Sequence, residues 1–159
     1  MEEIQIQTSE GVVHSVDRDL LKSSSLFELM FEGYENDGSV IPLEGIDDTT
    51  FQLVCKYLKN NQGKIIPEIE CPIRAKSFDK IKGIAEHDAE FISGITQVQL
   101  YSLASAANYL GIPSLMKLCC ARIALEMRGK TWQELEAEYD IEGGISDSMK
   151  KRMDTEREW

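Results

Sequence analysis

The sequence has no Asn-x-Ser/Thr acceptor, no Cys-x-x-Cys pair, only two histidines and no apolar run of transmembrane length. Each absence removes a class of protein. Without paired thiols a disulfide framework or a zinc ribbon lacks its spacing. Cys55, Cys71, Cys119 and Cys120 therefore read as reduced thiols used for apolar packing, with adjacent Cys119 and Cys120 on different sides of one helix. The opening residues MEEIQIQ are acidic and hold no apolar leader core, so the expected compartment is the cytoplasm and nucleus. Basic charge is scarce as well: 28 acids face 17 bases, for a net charge of −11. A surface of that sign repels phosphate backbones and anionic lipid, so neither nucleic acid nor membrane is an expected partner. Basic or mixed-charge protein surfaces fit better.

What is present is a foldable pattern. Hydrophobic residues make up 42% of the chain, enough to bury a core and to exclude a disordered polyelectrolyte. Ile4 and Ile6 alternate with Gln5 and Gln7, the period of a strand, and Ser9-Glu10-Gly11 supplies the turn to a return strand over residues 12–16. Asp17 and then Ser23-Ser24-Ser25 offer caps for two short helices, the second with Leu26, Leu29 and Met30 at helical spacing. Asn36-Asp37-Gly38 marks a loop. Val40, Ile41 and Leu43 make a short third strand, which Pro42 confines to an edge or a strand end. Asp47-Asp48 opens a helix with Phe51, Val54, Cys55 and Leu58 on one face, closed near Gly63.

Residues 62–82 have mixed period and two prolines, and read as an irregular insert in which Ile65, Ile66, Ile69 and Ile73 argue against complete disorder. Helices dominate afterwards. EHDAEFI forms a short one. Thr96 caps QVQLYSLASAANYL, whose inner stripe is Leu100, Leu103, Ala107 and Leu110. Gly111 and Pro113 then separate it from SLMKLCCARIALEM, with Met116, Cys120, Ile123 and Met127 on one face. Thr131 and Glu134 form a capping box, Gly143-Gly144 breaks the chain, and Ser146 caps a last helix carrying Met149 and Met153. The expected domains are an α+β head over residues 1–127 and a helical extension over 128–159.

The chemistry of catalysis finds little support. ALEMRGKT (124–131) satisfies a relaxed phosphate-loop pattern, yet a helix precedes it and Glu126 stands where phosphate would sit. Glu86, His87, Asp88 and Glu90 read as a solvated polar face rather than a metal or acid–base cluster. No enzyme activity, metal or cofactor is expected. Lys150-Lys151-Arg152 reads as a helix of mixed surface charge. Met149 and Met153 fit either intramolecular core or a partner surface, and their place beyond a Gly-Gly break, near Trp159, favours the partner.

The order of these elements resembles the Skp adaptor family. The resemblance rests on IQIQTSEG, SVDRDLLKSSSLFELM, IPLEGIDDTTFQLVCKYL, LYSLASAANYLGIPSLMKLCC and the tail RGKTWQELEAEYDIEGGIS…TEREW. It covers nearly the whole chain apart from the insert. The resemblance implies a BTB/POZ head with a small three-stranded sheet flanked by helices, and an adaptor role between a cullin scaffold and F-box receptors in SCF-type ubiquitin ligases. It assigns Ala104, Ser105, Asn108 and Tyr109 to the cullin. To the F-box it assigns Met116, Cys120, Ile123 and Met127, then Leu135, Tyr139, Ile141, Ile145, Met149, Met153 and Trp159. It further implies apolar groups in the tail that lack cover, with the last helices partly disordered, until an F-box arrives.

Four departures stand out. Trp132 replaces a family proline, the segment 84–88 lacks a family tryptophan, and Ser148-Met149-Lys150-Lys151-Arg152 replaces an acidic run, which would change the F-box proteins accepted. Ala104 and Ser105 are smaller than the family's branched residues, which leaves open a cullin-independent structural protein that self-associates. A weak homodimer through the head is a further expectation.

Overall fold

The computed structural model describes residues 2–33, 37–62 and 66–156. Asn36, Gly63, Ile65 and Trp159, singled out above, lie outside the described residues. Strand β1 (Glu3–Gln7) pairs antiparallel with β2 (Val13–Asp17), one residue later than expected, through a turn in which the Thr8 N–H donates to Val12 O at 2.9 Å. Ile4 and Ile6 are fully buried while Gln5 and Gln7 are not, as the period of two requires.

Asp17 caps α1 (Arg18–Leu21) by accepting the Asp19 N–H at 3.0 Å, and Ser24 caps α2 (Ser25–Phe31) by accepting the Phe27 N–H at 3.3 Å. The chain then crosses back to β3 (Val40–Pro42), which lies parallel to β1 on its other side. The sheet order is β2-β1-β3, so the proline-bearing strand is an edge. The fold is α+β, a three-stranded mixed sheet with helices and a helical extension.

Asp47 caps α3 (Asp48–Asn61) with a 2.7 Å bond from the Thr50 N–H. Phe51, Val54 and Leu58 are buried as expected, and so is Tyr57, which periodicity alone did not select. Over residues 66–82 the insert is irregular except for one 3-10 turn at Phe78–Lys80, yet it is not detached. Phe78 and Ile81 are buried, and Ile69 and Ile73 lie against the core. Helices α4 (Glu86–Ser93), α5 (Gln97–Leu110) and α6 (Pro113–Met127) follow, then α7 (Trp132–Glu138) and α8 (Asp147–Thr155). The capping boxes at Thr96 and Thr131 are both formed, the second with Glu134.

Two expectations are corrected. In α2 the inward residue is Phe27, 1% exposed, whereas Leu29 is 67% exposed. A helix of seven residues spans two turns, and its orientation is set by the bonds from Ser24 Oγ and the Ser25 N–H to the carbonyls of Leu110 and Gly111 rather than by its own apolar count. Asp88 is buried rather than solvated. Its carboxylate accepts from Asn61 Nδ2 at 2.7 Å, and Asn61 Oδ1 meets His87 Nε2 at 2.9 Å, so this polar cluster ties the start of α4 to the end of α3.

Helix α5 is the pillar. It touches α2, α3 and α6, and Leu100, Leu103, Ala107 and Leu110 are all fully buried. Its end is fixed by Gly111 at φ +65, where an added Cβ would sit 1.9 Å from Ser25 Oγ. The Ser25 N–H donates to Gly111 O at 3.1 Å and Ser24 Oγ donates to Leu110 O, which docks the α5–α6 corner on the start of α2. Gly111→Ala is therefore expected to cost on the order of 1–3 kcal/mol from backbone strain, more if Ser25 cannot move aside. Urea unfolding followed by circular dichroism measures this.

Candidate functional site

Two outward faces hold the described residues that the resemblance assigns to partners. The first is on α5. Ser105, Asn108 and Tyr109 are exposed, and Ala104 is half-buried against the core. Ser105 and Tyr109 line a groove of about 500 Å³ together with Tyr101 and the loop Glu44–Asp47, and Ala104 and Asn108 are not part of its lining. Val98, 76% exposed, and Tyr101 extend the Ser105–Tyr109 line towards the start of α5. Their signal was present in the sequence: positions 98, 101, 105 and 109 repeat every three or four residues, opposite the inner stripe.

The second face begins on α6. Met116, Cys120, Ile123 and Met127 form one line along it. Cys120 is exposed and the other three are half-buried, because the opposite side, Leu115, Leu118 and Cys119, holds the core. The insert borders this face. Residues 68–73 and α6 enclose a mainly apolar groove of about 590 Å³ that includes Ile69, Ile73, Cys71 and Cys120. Arg128 holds the border in place by donating to the carbonyls of Arg74, at 2.6 Å, and Ala75. Arg122 does the same for α4, donating to the carbonyls of Ile92 and, at 3.1 Å, Ile95. Neither arginine was foreseen, since their acceptors are backbone groups 27 to 54 residues away.

In the extension, Ile141 is 37% and Met149 46% exposed, and Tyr139, Ile145 and Met153 are half-buried. Leu135 departs from the expectation of uncovered groups, being 4% exposed. The expected disorder of the last helices also gives way to two capped helices. The Ser146 side chain accepts the Met149 N–H, and Lys130 reaches both Glu138 and the Tyr139 ring, 5.4 Å from its centroid. Their polar framework is local and does not need the apolar side chains to be buried.

The model of the Skp1 family, dimerisation domain, matches residues 113–159, the segment that holds α6, α7 and α8. The S-phase kinase-associated protein 1 homolog of Tetrahymena thermophila is 27% identical over 98% of this chain and 92% of its own length. The chain is thus similar to the Skp1 family over its last three helices and to a Skp1 homolog over nearly its whole length. Two more relatives, each named E3 ubiquitin ligase complex SCF subunit sconC, are 26% identical in Arthroderma otae (98% of this chain, 93% of that protein) and 28% in Aspergillus terreus (96% and 92%).

The thiols of the chain divide by depth. Burial pushes Cys119 up to about 12 and Cys55 up to about 11, from an ordinary 9.0, so both stay protonated and unreactive near neutrality. Cys71 and Cys120 are exposed. Alkylation of the native protein at pH 8 is expected to modify Cys71 and Cys120 alone, and all four cysteines in denaturant, as read by peptide mass spectrometry. Tyr57 is likewise lifted by burial to about 12. Because these three groups are held neutral in the fold, their contribution to stability is intact below pH about 9 and declines as pH rises towards 11–12. Denaturant midpoints measured from pH 8 to 11 should fall accordingly.

Proposed function

We propose that the chain is the non-catalytic adaptor subunit of an SCF-type ubiquitin ligase, joining a cullin scaffold to F-box substrate receptors. One observation supports the reading most strongly. The segment that matches the Skp1 family carries Ile141 and Met149 exposed on the surface of an acidic molecule, next to the half-buried Tyr139, Ile145 and Met153. Similar proteins carry the name SCF subunit over almost their full length. On this reading α6, α7 and α8 receive the F-box, and the outer side of α5 faces the cullin. The groove beside Ser105 and Tyr109 gives the cullin an apolar line with an acidic rim at Glu44 and Asp47.

The work done is geometric. A rigid α5–α6 pair fixes the spacing between scaffold and receptor, which raises the substrate's effective concentration at the transferring enzyme. No step of bond making is assigned to the adaptor. Four free cysteines suit a reducing cytoplasm or nucleus as the place of action. Exposed Leu29 and Met30 on α2 favour a secondary reading, in which the head also associates weakly with a second copy.

Calorimetric titration with an F-box domain and with a cullin N-terminal domain tests the assignment. The double change Asn108→Asp/Tyr109→Ala is expected to weaken cullin binding by about 1–3 kcal/mol and to spare the F-box. Ile141→Ala with Met149→Ala should do the reverse, at a similar cost. Equal losses in both titrations would indicate unfolding, and no binding by the unaltered chain would refute the role. Light scattering across a dilution series reports the self-association.

A further inference from the structure

Helix α8 has no fully buried side chain and only Met153 among its apolar residues is half-buried, so hydrophobic burial contributes little to holding it against α7. Most of its polar contacts are internal: Arg152 pairs with Glu156, and Thr155 donates to Lys151 O. Lys150 is different. Its ammonium lies 3.0 Å from Glu136 Oε1 and 4.5 Å from the centroid of the Trp132 ring. Trp132 and Glu136 are four residues apart on α7 and share a face, so one cation meets a π-surface and a carboxylate together.

The same carboxylate oxygen accepts the Ile145 N–H at 2.9 Å, which anchors the chain just before α8 begins. Gly144 makes room for it: at φ +68, an added Cβ would stand 3.0 Å from Glu136 Oε1. The indole N–H of Trp132 is shielded and has no acceptor among the described residues, so the ring is gripped by its face and not by its edge. A lone exposed ion pair contributes little. Here Lys150 and Glu136 are each less than a third exposed, and one carboxylate serves a backbone amide and a cation at once.

We infer that Trp132, Glu136 and Lys150 form a clasp that orients α8 in the free chain, so that Met149 and Met153 are presented to the partner already in place. The use of that face rests on the proposed function; the clasp itself does not. A pre-oriented helix spares the partner the ordering cost that a loose tail would impose, and it limits which partners fit the fixed angle. Trp132 and Lys150 are thus positioning residues for recognition.

Amide hydrogen exchange by NMR on the full chain tests the clasp without any partner. Lys150→Met keeps the aliphatic stem and removes the charge, and is expected to speed exchange at the Ile145 N–H by about tenfold while Leu103 exchanges as before. Lys150→Arg keeps the charge and stacks on the ring, and should restore protection. In a parallel titration with an F-box domain, Lys150→Met should weaken binding by about fivefold and Lys150→Arg should recover it.

Unchanged Ile145 exchange in both Lys150→Met and Trp132→Ala would overturn the clasp whatever the titration gives. Faster exchange with unaltered affinity would overturn its role in presenting the face. If the unaltered chain binds no F-box domain, the adaptor reading fails, and the exchange data still decide the clasp.

Discussion

The corner at Gly111 carries the constraint on which the other elements depend. Helix α5 is sealed along Leu100, Leu103, Ala107 and Leu110, and its last carbonyls are taken by Ser24 Oγ and the Ser25 N–H. Those bonds join residues 86 positions apart in the chain, so they fix α2 against the α5–α6 turn and, through α2, the crossover that delivers β3 to the sheet. A residue other than glycine would need an unfavourable backbone conformation and would collide with Ser25.

That corner also sets the relation between the two outward faces. Because α6 starts at Pro113, immediately after the turn, α5 and α6 lie side by side with their inner stripes sharing one core. The outer side of α5 and the Met116–Met127 line of α6 are left over as separate surfaces on one rigid pair. For a protein proposed to connect two others, rigidity between the surfaces matters more than affinity at either, since flexibility would spread the substrate over a larger volume.

Charge and hydrophobicity are used differently in the two parts. In the head, polar groups that enter the interior are fully engaged: Asp88 with Asn61, and the guanidinium of Arg122 on α4's terminal carbonyls. In the extension the charged groups carry the architecture. Lys130, Glu136 and Lys150 fasten α7 and α8 to their surroundings, and Ile141 and Met149 stay at the surface. Such an arrangement keeps a binding face ordered without first hiding it, which suits a face meant for another polypeptide.

The sequence by itself determined whatever depends on neighbours a few residues apart: the β1–β2 turn, the caps at Asp17, Ser24, Asp47, Thr96, Thr131 and Ser146, the stop at Gly111, and the inner stripes of α3 and α5. The candidate faces on α5, α6 and the extension were legible too, as helical lines of apolar residues plus a family resemblance. Tertiary structure alone decided which side of α2 turns inward, how the insert docks on α6, and that Asp88, Tyr57 and Leu135 are buried. It alone revealed the cation over Trp132. The physical reason is range: caps and stripes are encoded within one or two helical turns, whereas these contacts join residues many positions apart that come together only after the core has closed.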